Sequence, residues 1–125
     1  MRKAVMVPNA AKPGGHYSHA VIANGAVYLS GQVPRDPETG RVPELFADQL
    51  RLALRNAQTI LRGVGLDLTD VVKVTAYLTD MARFKEYNEI YKEFFPTDPP
   101  ARTTIGCQLV GFEVEIDCIA AVRGA

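Results

Sequence analysis

The sequence predicts an α+β fold in which one mixed β-sheet carries two helices packed on one of its faces. Three observations predict it. Apolar residues recur at spacings of three and four in two separate stretches, 44–64 and 80–95. Elsewhere, apolar and polar residues alternate over short runs bounded by Gly, Pro and Asn. The elements follow one another in the order β-ββ-α-β-α-ββ, with no repeat, low-complexity tract or Gly/Ser linker to divide the chain, so residues 1–125 are expected to form a single domain.

Lys3 to Val7 can form a first short strand, and Pro13-Gly14-Gly15 a loop. Tyr17–Ala23 and Ala26–Ser30 flank Asn24-Gly25, the pair that best tolerates the positive φ angles of a two-residue hairpin turn. The three prolines and one glycine of 34–43 make that stretch a loop. From Glu44 to Val64, Leu50, Leu54, Ala57, Leu61 and Val64 fall on one helical stripe, with Arg51, Arg55, Gln58 and Arg62 off it. Gly63 and Gly65 end the helix. Val71–Leu78 is β-branched and alternating. Asp80 has the chemistry of an N-cap for a second helix that buries Phe84, Tyr87, Tyr91 and Phe94 or Phe95 and stops at Pro96–Pro100. Two final strands, Arg102–Leu109 and Phe112–Val122, are expected to form a hairpin through Val110-Gly111.

Strand alternation sorts side chains by face. With Asn24-Gly25 as the turn, Ser18, Ala20, Ile22, Val27 and Leu29 face the helices, and Tyr17, His19, Tyr28 and Ser30 face away. Val72, Val74, Ala76 and Leu78 are assigned to the helix side, and Lys73, Thr75 and Tyr77 to the other. In the last hairpin, Ile105, Cys107, Leu109, Phe112, Val114, Ile116 and Cys118 share the apolar side; Arg102, Thr104, Gln108, Glu113, Glu115 and Asp117 share the polar one. That polar face also holds Tyr28, Tyr77, Val21, Ile119 and Ala121, a half-apolar mixture that suits an interface or pocket better than open solvent. A bulge or a longer turn would shift these parities.

Composition narrows the function. The 125 residues are 47% hydrophobic and 22% charged, enough for a core without metal or disulfide staples. Fourteen basic and fourteen acidic residues cancel and are scattered, which removes the long-range attraction used by non-specific nucleic-acid binders and polybasic membrane binders. The apolar start of the chain is broken at Pro8, short of a signal-peptide core, and no run approaches the length of a membrane span. Cys107 and Cys118 are then expected to be free thiols of a cytoplasmic protein, buried as small hydrophobes.

Several fragments carry a resemblance: Tyr17-Ser18, Ser30-Gly31-Gln32-Val33-Pro34, Asp36-Pro37-Glu38-Thr39-Gly40, Asp70-Val71-Val72-Lys73-Val74, Leu78-Thr79-Asp80-Met81, Tyr87-Asn88-Glu89-Ile90-Tyr91, Pro100-Ala101-Arg102-Thr103-Thr104 and Val114-Glu115-Ile116-Asp117. In this order and spacing, from Tyr17 to Ala121, the sequence resembles the reactive intermediate deaminase A family, also called the YjgF or imine deaminase family. The resemblance implies a chorismate mutase-like α+β fold and a homotrimer with sites between neighbouring subunits. It also implies hydrolysis of 2-imino acids, the tautomers of enamines released by pyridoxal-phosphate dehydratases, to 2-keto acids and ammonia. No metal or organic cofactor is implied.

By the same resemblance, Arg102 binds the substrate carboxylate, for which a guanidinium offers two parallel donors. Glu115 positions water, and one carboxyl can serve in turn as base to the water and acid to the departing nitrogen. Asp117, on the same face, is its nearest competitor. Tyr17 and Ser30 offer hydroxyls, and Gly31 allows close approach of backbone to ligand. Asn88 matches a position lining the site, and Thr104 stands where several relatives carry cysteine. In a two-residue hairpin Arg102 would pair with Ile119, leaving Glu115 four residues, roughly 14 Å, away. Either twist and a bulge close that gap, or a second subunit completes the site.

The chain departs from the family pattern in three places. The segment between the last two strands is two residues short, His16 replaces a frequent proline, and His19 a frequent glutamine. His19 is expected at a surface or interface, and no third ligand accompanies the two histidines to make a metal site. Two alternatives stand beside the deaminase: a non-catalytic, small-carboxylate-binding regulatory trimer, and a translation-inhibiting endoribonuclease. Neutrality and the lack of an aromatic stacking motif count against the second.

Overall fold

The computed structural model describes residues 1–124. Its strands are β1 Arg2–Val5, β2 Ala20–Ala23, β3 Ala26–Leu29, β4 Val71–Leu78, β5 Ala101–Gly106 and β6 Val114–Ala121; its helices are α1 Phe46–Gly63 and α2 Phe84–Phe94. The strands form one mixed sheet in the order β1-β2-β3-β6-β4-β5, antiparallel except where β5 runs parallel to β4. No helix among the described residues is long and apolar enough to cross a membrane.

The local signals behave as their chemistry demands. Asn24 and Gly25 take φ of 51° and 75° and pair Ala23 with Ala26 and Val21 with Tyr28. The α1 stripe of Leu50, Leu54, Ala57 and Leu61 is buried, joined by Ala53 and Ile60, and packs on Val114, Ile116 and Cys118 of β6. Gly63 lies so close to Val7 that a Cβ there would stand 2.7 Å from its methyl groups. Asp80 accepts a hydrogen bond from the Ala82 amide, capping a 3₁₀ turn at Met81–Arg83 that leads into α2. Asn56 and Gln49 project from α1 into the loops: Asn56 Nδ2 donates to the carbonyls of Val33 and Arg35, and Gln49 bridges the Pro43 carbonyl and the Glu113 amide.

The last two strands overturn an expectation. They are not a hairpin: β6 pairs with β3 and β4, and β5 lies beyond β4 at the sheet's edge. The chain reaches β5 by crossing over α2, as a parallel neighbour of β4 must. Residues 107–113 are then a loop, in which Gly111 has a φ of 87°, rather than a two-residue turn. Parity therefore cannot be carried from β6 to β5. Arg102 and Thr104 lie on the helix side against α2, while Thr103 joins Lys73 on the far face and Ile105 is exposed. Cys107 is half-exposed rather than buried, whereas Cys118 is 3% exposed, and its burial pushes the thiol up to about 12. A register shift between Val71 and Lys73 also turns Val72 outward and buries Val71 in its place.

Candidate functional site

Alternation along β6 sends Val114, Ile116 and Cys118 to the core and leaves Glu115 and Asp117 on the far face. Beside Glu115 runs the segment after β3. Gln32 exchanges both backbone hydrogen bonds with Ile116, at 2.6 and 3.0 Å, which draws Ser30 and Gly31 along the carboxylate strand. Gly31 meets a steric demand: a Cβ built on it would stand 2.8 Å from Glu115 Cδ and closer still to Oε2. Ser30 Oγ donates to the Ser18 carbonyl at 2.6 Å, and its amide to the His19 carbonyl at 3.0 Å. Tyr17 hangs from the preceding loop, its hydroxyl accepting from the Gly14 amide at 3.0 Å. Tyr17, Ser30, Gly31, Val33 and Glu115 line one cavity of about 390 Å³.

The electrostatics of this pocket follow from its burial. Removal from water raises the Glu115 carboxyl above its ordinary 4.5, and the negative charge of Asp117 raises it further. Asp117 accepts a hydrogen bond from Tyr77 at 2.8 Å; that bond, burial and the Asp117 charge push the Tyr77 phenol up to about 12. Glu115 thus has a raised pKa and no hydrogen-bond partner among the described residues drawing its carboxyl away from the cavity, whereas Asp117 is tied to Tyr77.

Arg102 lies elsewhere. It pairs with Val74 in β4 and points toward α2, where its guanidinium carbon lies 4.6 Å from the ring centre of Tyr91, 4.7 Å from Tyr87 and 5.7 Å from Phe84. These aromatics, three or four residues apart on one face of α2, form a shelf whose π-faces attract the cation. Asn88, on the next flank of the helix, accepts from Arg102 Nη2 at 3.0 Å and fixes its orientation. The Thr104 hydroxyl shares a 2.8 Å hydrogen bond with that of Tyr87, on the same side. Arg102, Asn88 and Tyr91 line a cavity of about 510 Å³ closed by Lys92, Phe95, Pro96, Pro99 and Pro100.

The seven residues singled out from the sequence therefore fall into two groups. Tyr17, Ser30, Gly31 and Glu115 meet in one cavity; Arg102, Asn88 and Thr104 gather at α2. The expectation that Arg102 and Glu115 share a face is wrong within one chain, because β4 intervenes between their strands and reverses the assumed parity. Glu115 pairs with Tyr77, and Tyr77 with Ile105, so Arg102 is three residues along and two strands across, about 10 Å each way and through the sheet. The aromatic shelf was visible only as the buried side of a helix; its role in holding Arg102 depends on a strand register that helix periodicity does not encode. His16 is exposed, and His19, expected at a surface or interface, is 3% exposed and fully hydrogen-bonded inside the molecule. No group of three or more His, Cys, Asp or Glu side chains able to hold a metal occurs among the described residues.

Comparison with known proteins adds a second line of information. A family model described as Endoribonuclease L-PSP matches residues 7–122. A RutC family protein of Aquifex aeolicus is 41% identical over 122 residues, which cover 94% of this chain and 98% of that protein. The 2-iminobutanoate/2-iminopropanoate deaminase of Rattus norvegicus is 38% identical over 123 residues, covering 96% of this chain and 90% of its own. Among solved structures, TdcF of Escherichia coli with bound serine matches with a TM-score of 0.89 at 34% identity, over 95% of this chain and 98% of that one.

Proposed function

Because the chain belongs to the Endoribonuclease L-PSP family, also known as the reactive intermediate deaminase A or YjgF family, we propose that it hydrolyses 2-imino acids to 2-keto acids and ammonia. Its α+β architecture is the YjgF fold of that family. The observation that carries the proposal is the Glu115 carboxyl, seated over Gly31 in a cavity with two hydroxyls, its pKa raised by burial and by the charge of Asp117.

The chemistry needs three things. The substrate carboxylate requires a planar pair of donors, which Arg102 offers from its aromatic shelf with Asn88 locking one edge. Water must lose a proton as its oxygen bonds to the imine carbon, and the Glu115 carboxylate takes that proton. Glu115 passes that proton to the imine nitrogen, giving a neutral carbinolamine; it then takes the remaining hydroxyl proton and delivers it to the amine, so that the C–N bond breaks, ammonia leaves and the keto oxygen forms. The sum is imine plus water to ketone plus ammonia, with the enzyme unchanged. Ser30 and Tyr17 hold the water or the substrate in register with Glu115.

Since Arg102 and Glu115 stand on opposite faces of one sheet, the complete site takes Arg102, Asn88 and Thr104 from one subunit and Tyr17, Ser30, Gly31 and Glu115 from its neighbour. A homotrimer, with the half-apolar sheet face inside, supplies three such junctions. The likeness to a relative solved with serine supports a second reading, a small-carboxylate binder without turnover. A ribonuclease role has the family description and the names of some solved relatives behind it, and the balanced 14 and 14 charges argue against it. The deciding assay couples a dehydratase that generates 2-iminopropanoate or 2-iminobutanoate to keto-acid release. Acceleration by the wild type but not by Arg102→Ala supports the deaminase; equal rates with wild type, variant and buffer refute it, and acid binding without turnover selects the binder.

A further inference from the structure

His19 clasps the loop that carries Tyr17. The side chain is 3% exposed at the foot of β2, and its ring reaches back along the chain in two directions. The Val7 amide, twelve residues earlier, donates to Nδ1 at 2.9 Å, and Nε2 lies 2.8 Å from the carbonyl of Ala11. Because an amide can only donate, Nδ1 accepts, the ring proton sits on Nε2, and Nε2 donates to Ala11. Both nitrogens are satisfied, and both partners lie on the incoming arm of the loop between β1 and β2.

The other arm is tied to the same residue. The His19 carbonyl accepts from the Ser30 amide, and the preceding Ser18 carbonyl from Ser30 Oγ. Tyr17, two residues before His19, is 46% exposed, with its hydroxyl bonded only to the amide of Gly14 within the loop. Tyr17 thus owes its place over the Glu115 cavity to the closure of residues 8–18, and His19 is the side chain that closes them. We propose that His19 is a positioning residue: its two-sided hydrogen bonding fixes the loop so that Tyr17 and Ser30 face Glu115. Its place in catalysis rests on the proposed imine hydrolysis, whereas its effect on the loop does not.

The test pairs two variants of the full chain with two readouts. His19→Leu fills the volume but leaves the Val7 amide and Ala11 carbonyl unpaired; His19→Gln offers an amide oxygen to the one and an amide N–H to the other. Backbone hydrogen exchange in the leucine variant is expected to accelerate about tenfold or more across residues 7–17, with β4 and β6 unchanged. The apparent kcat/KM for dehydratase-generated imine is expected to fall about tenfold, mostly through KM. The glutamine variant restores both. Unchanged exchange across 7–17, undiminished kcat/KM despite faster exchange, or failure of glutamine to restore either one overturns the proposal. Should the leucine variant not fold, His19→Asn, which keeps an acceptor near Nδ1 and loses the donor at Nε2, is expected to accelerate exchange at Ala11 and its neighbours and to lower kcat/KM; no change there overturns the proposal equally. Exchange requires no substrate, so a wild type that fails to hydrolyse imines defeats the proposed function while the clasp is judged on its own.

Discussion

Glu115 and Gly31 are complementary in the strict sense that a single added methyl at 31 would occupy the space of the carboxylate. Gly31→Ala is expected to displace Glu115 and reduce imine turnover at least tenfold while leaving the fold intact, since overpacking at a half-buried site costs only about 1–3 kcal/mol. Steady-state kinetics beside a melting curve checks this. The raised pKa of Glu115 makes the stability of the native state depend on pH. A carboxyl whose pKa is higher folded than unfolded binds its proton more tightly in the native state. The penalty is absent below the ordinary 4.5 and in full force above the raised value, so it destabilises the native state as pH rises through that window. Denaturation at a series of pH values is expected to show Glu115→Gln gaining stability relative to wild type as pH increases. In the proposed reaction the same group takes a proton from water as the carboxylate, so kcat/KM is expected to fall toward acid, with a limb displaced upward from the ordinary 4.5. For Asn88→Ala, losing the bond that orients the guanidinium is expected to raise KM about tenfold, near 1.4 kcal/mol, with a smaller change in kcat.

At the scale of elements, legibility in the sequence followed the range of the interactions. The β2–β3 hairpin is written in Asn24-Gly25, and α1 in the stripe from Leu50 to Leu61, because each depends on residues within a turn or two of each other. Glu115 could be placed on its face from β6 alone, since alternation within a strand is local. Arg102 could not. Its face depends on which strand β5 joins, and Val110-Gly111 reads as a hairpin turn although β6 finds its partners in β3 and β4. The bulge at Val71/Lys73 escaped for the same reason: only the partner strand reveals it. Loops are held by equally long-range contacts. Asn56, 2% exposed, donates to the carbonyls of Val33 and Arg35 and so steadies the segment that follows Gly31. Asn56→Leu leaves those carbonyls without their partner and is expected to cost about 2–4 kcal/mol in chemical denaturation. A change under about 0.5 kcal/mol would mean that water replaces the amide there.

In the whole molecule, Arg102 and Glu115 lie on opposite faces of the sheet, so the proposed function requires association of subunits. Subunit complementation tests that requirement. Arg102→Ala and Glu115→Gln are each expected to be inactive alone. Mixed in equal amounts, dissociated and reassembled as trimers, they form mixed rings in which one junction pairs an intact Arg102 with an intact Glu115 from the neighbouring subunit. Random mixing then restores about a quarter of wild-type activity in the dehydratase-coupled assay. Activity no greater than that of the separate variants, with mixed trimers demonstrated by mass, would rule out a site shared between subunits.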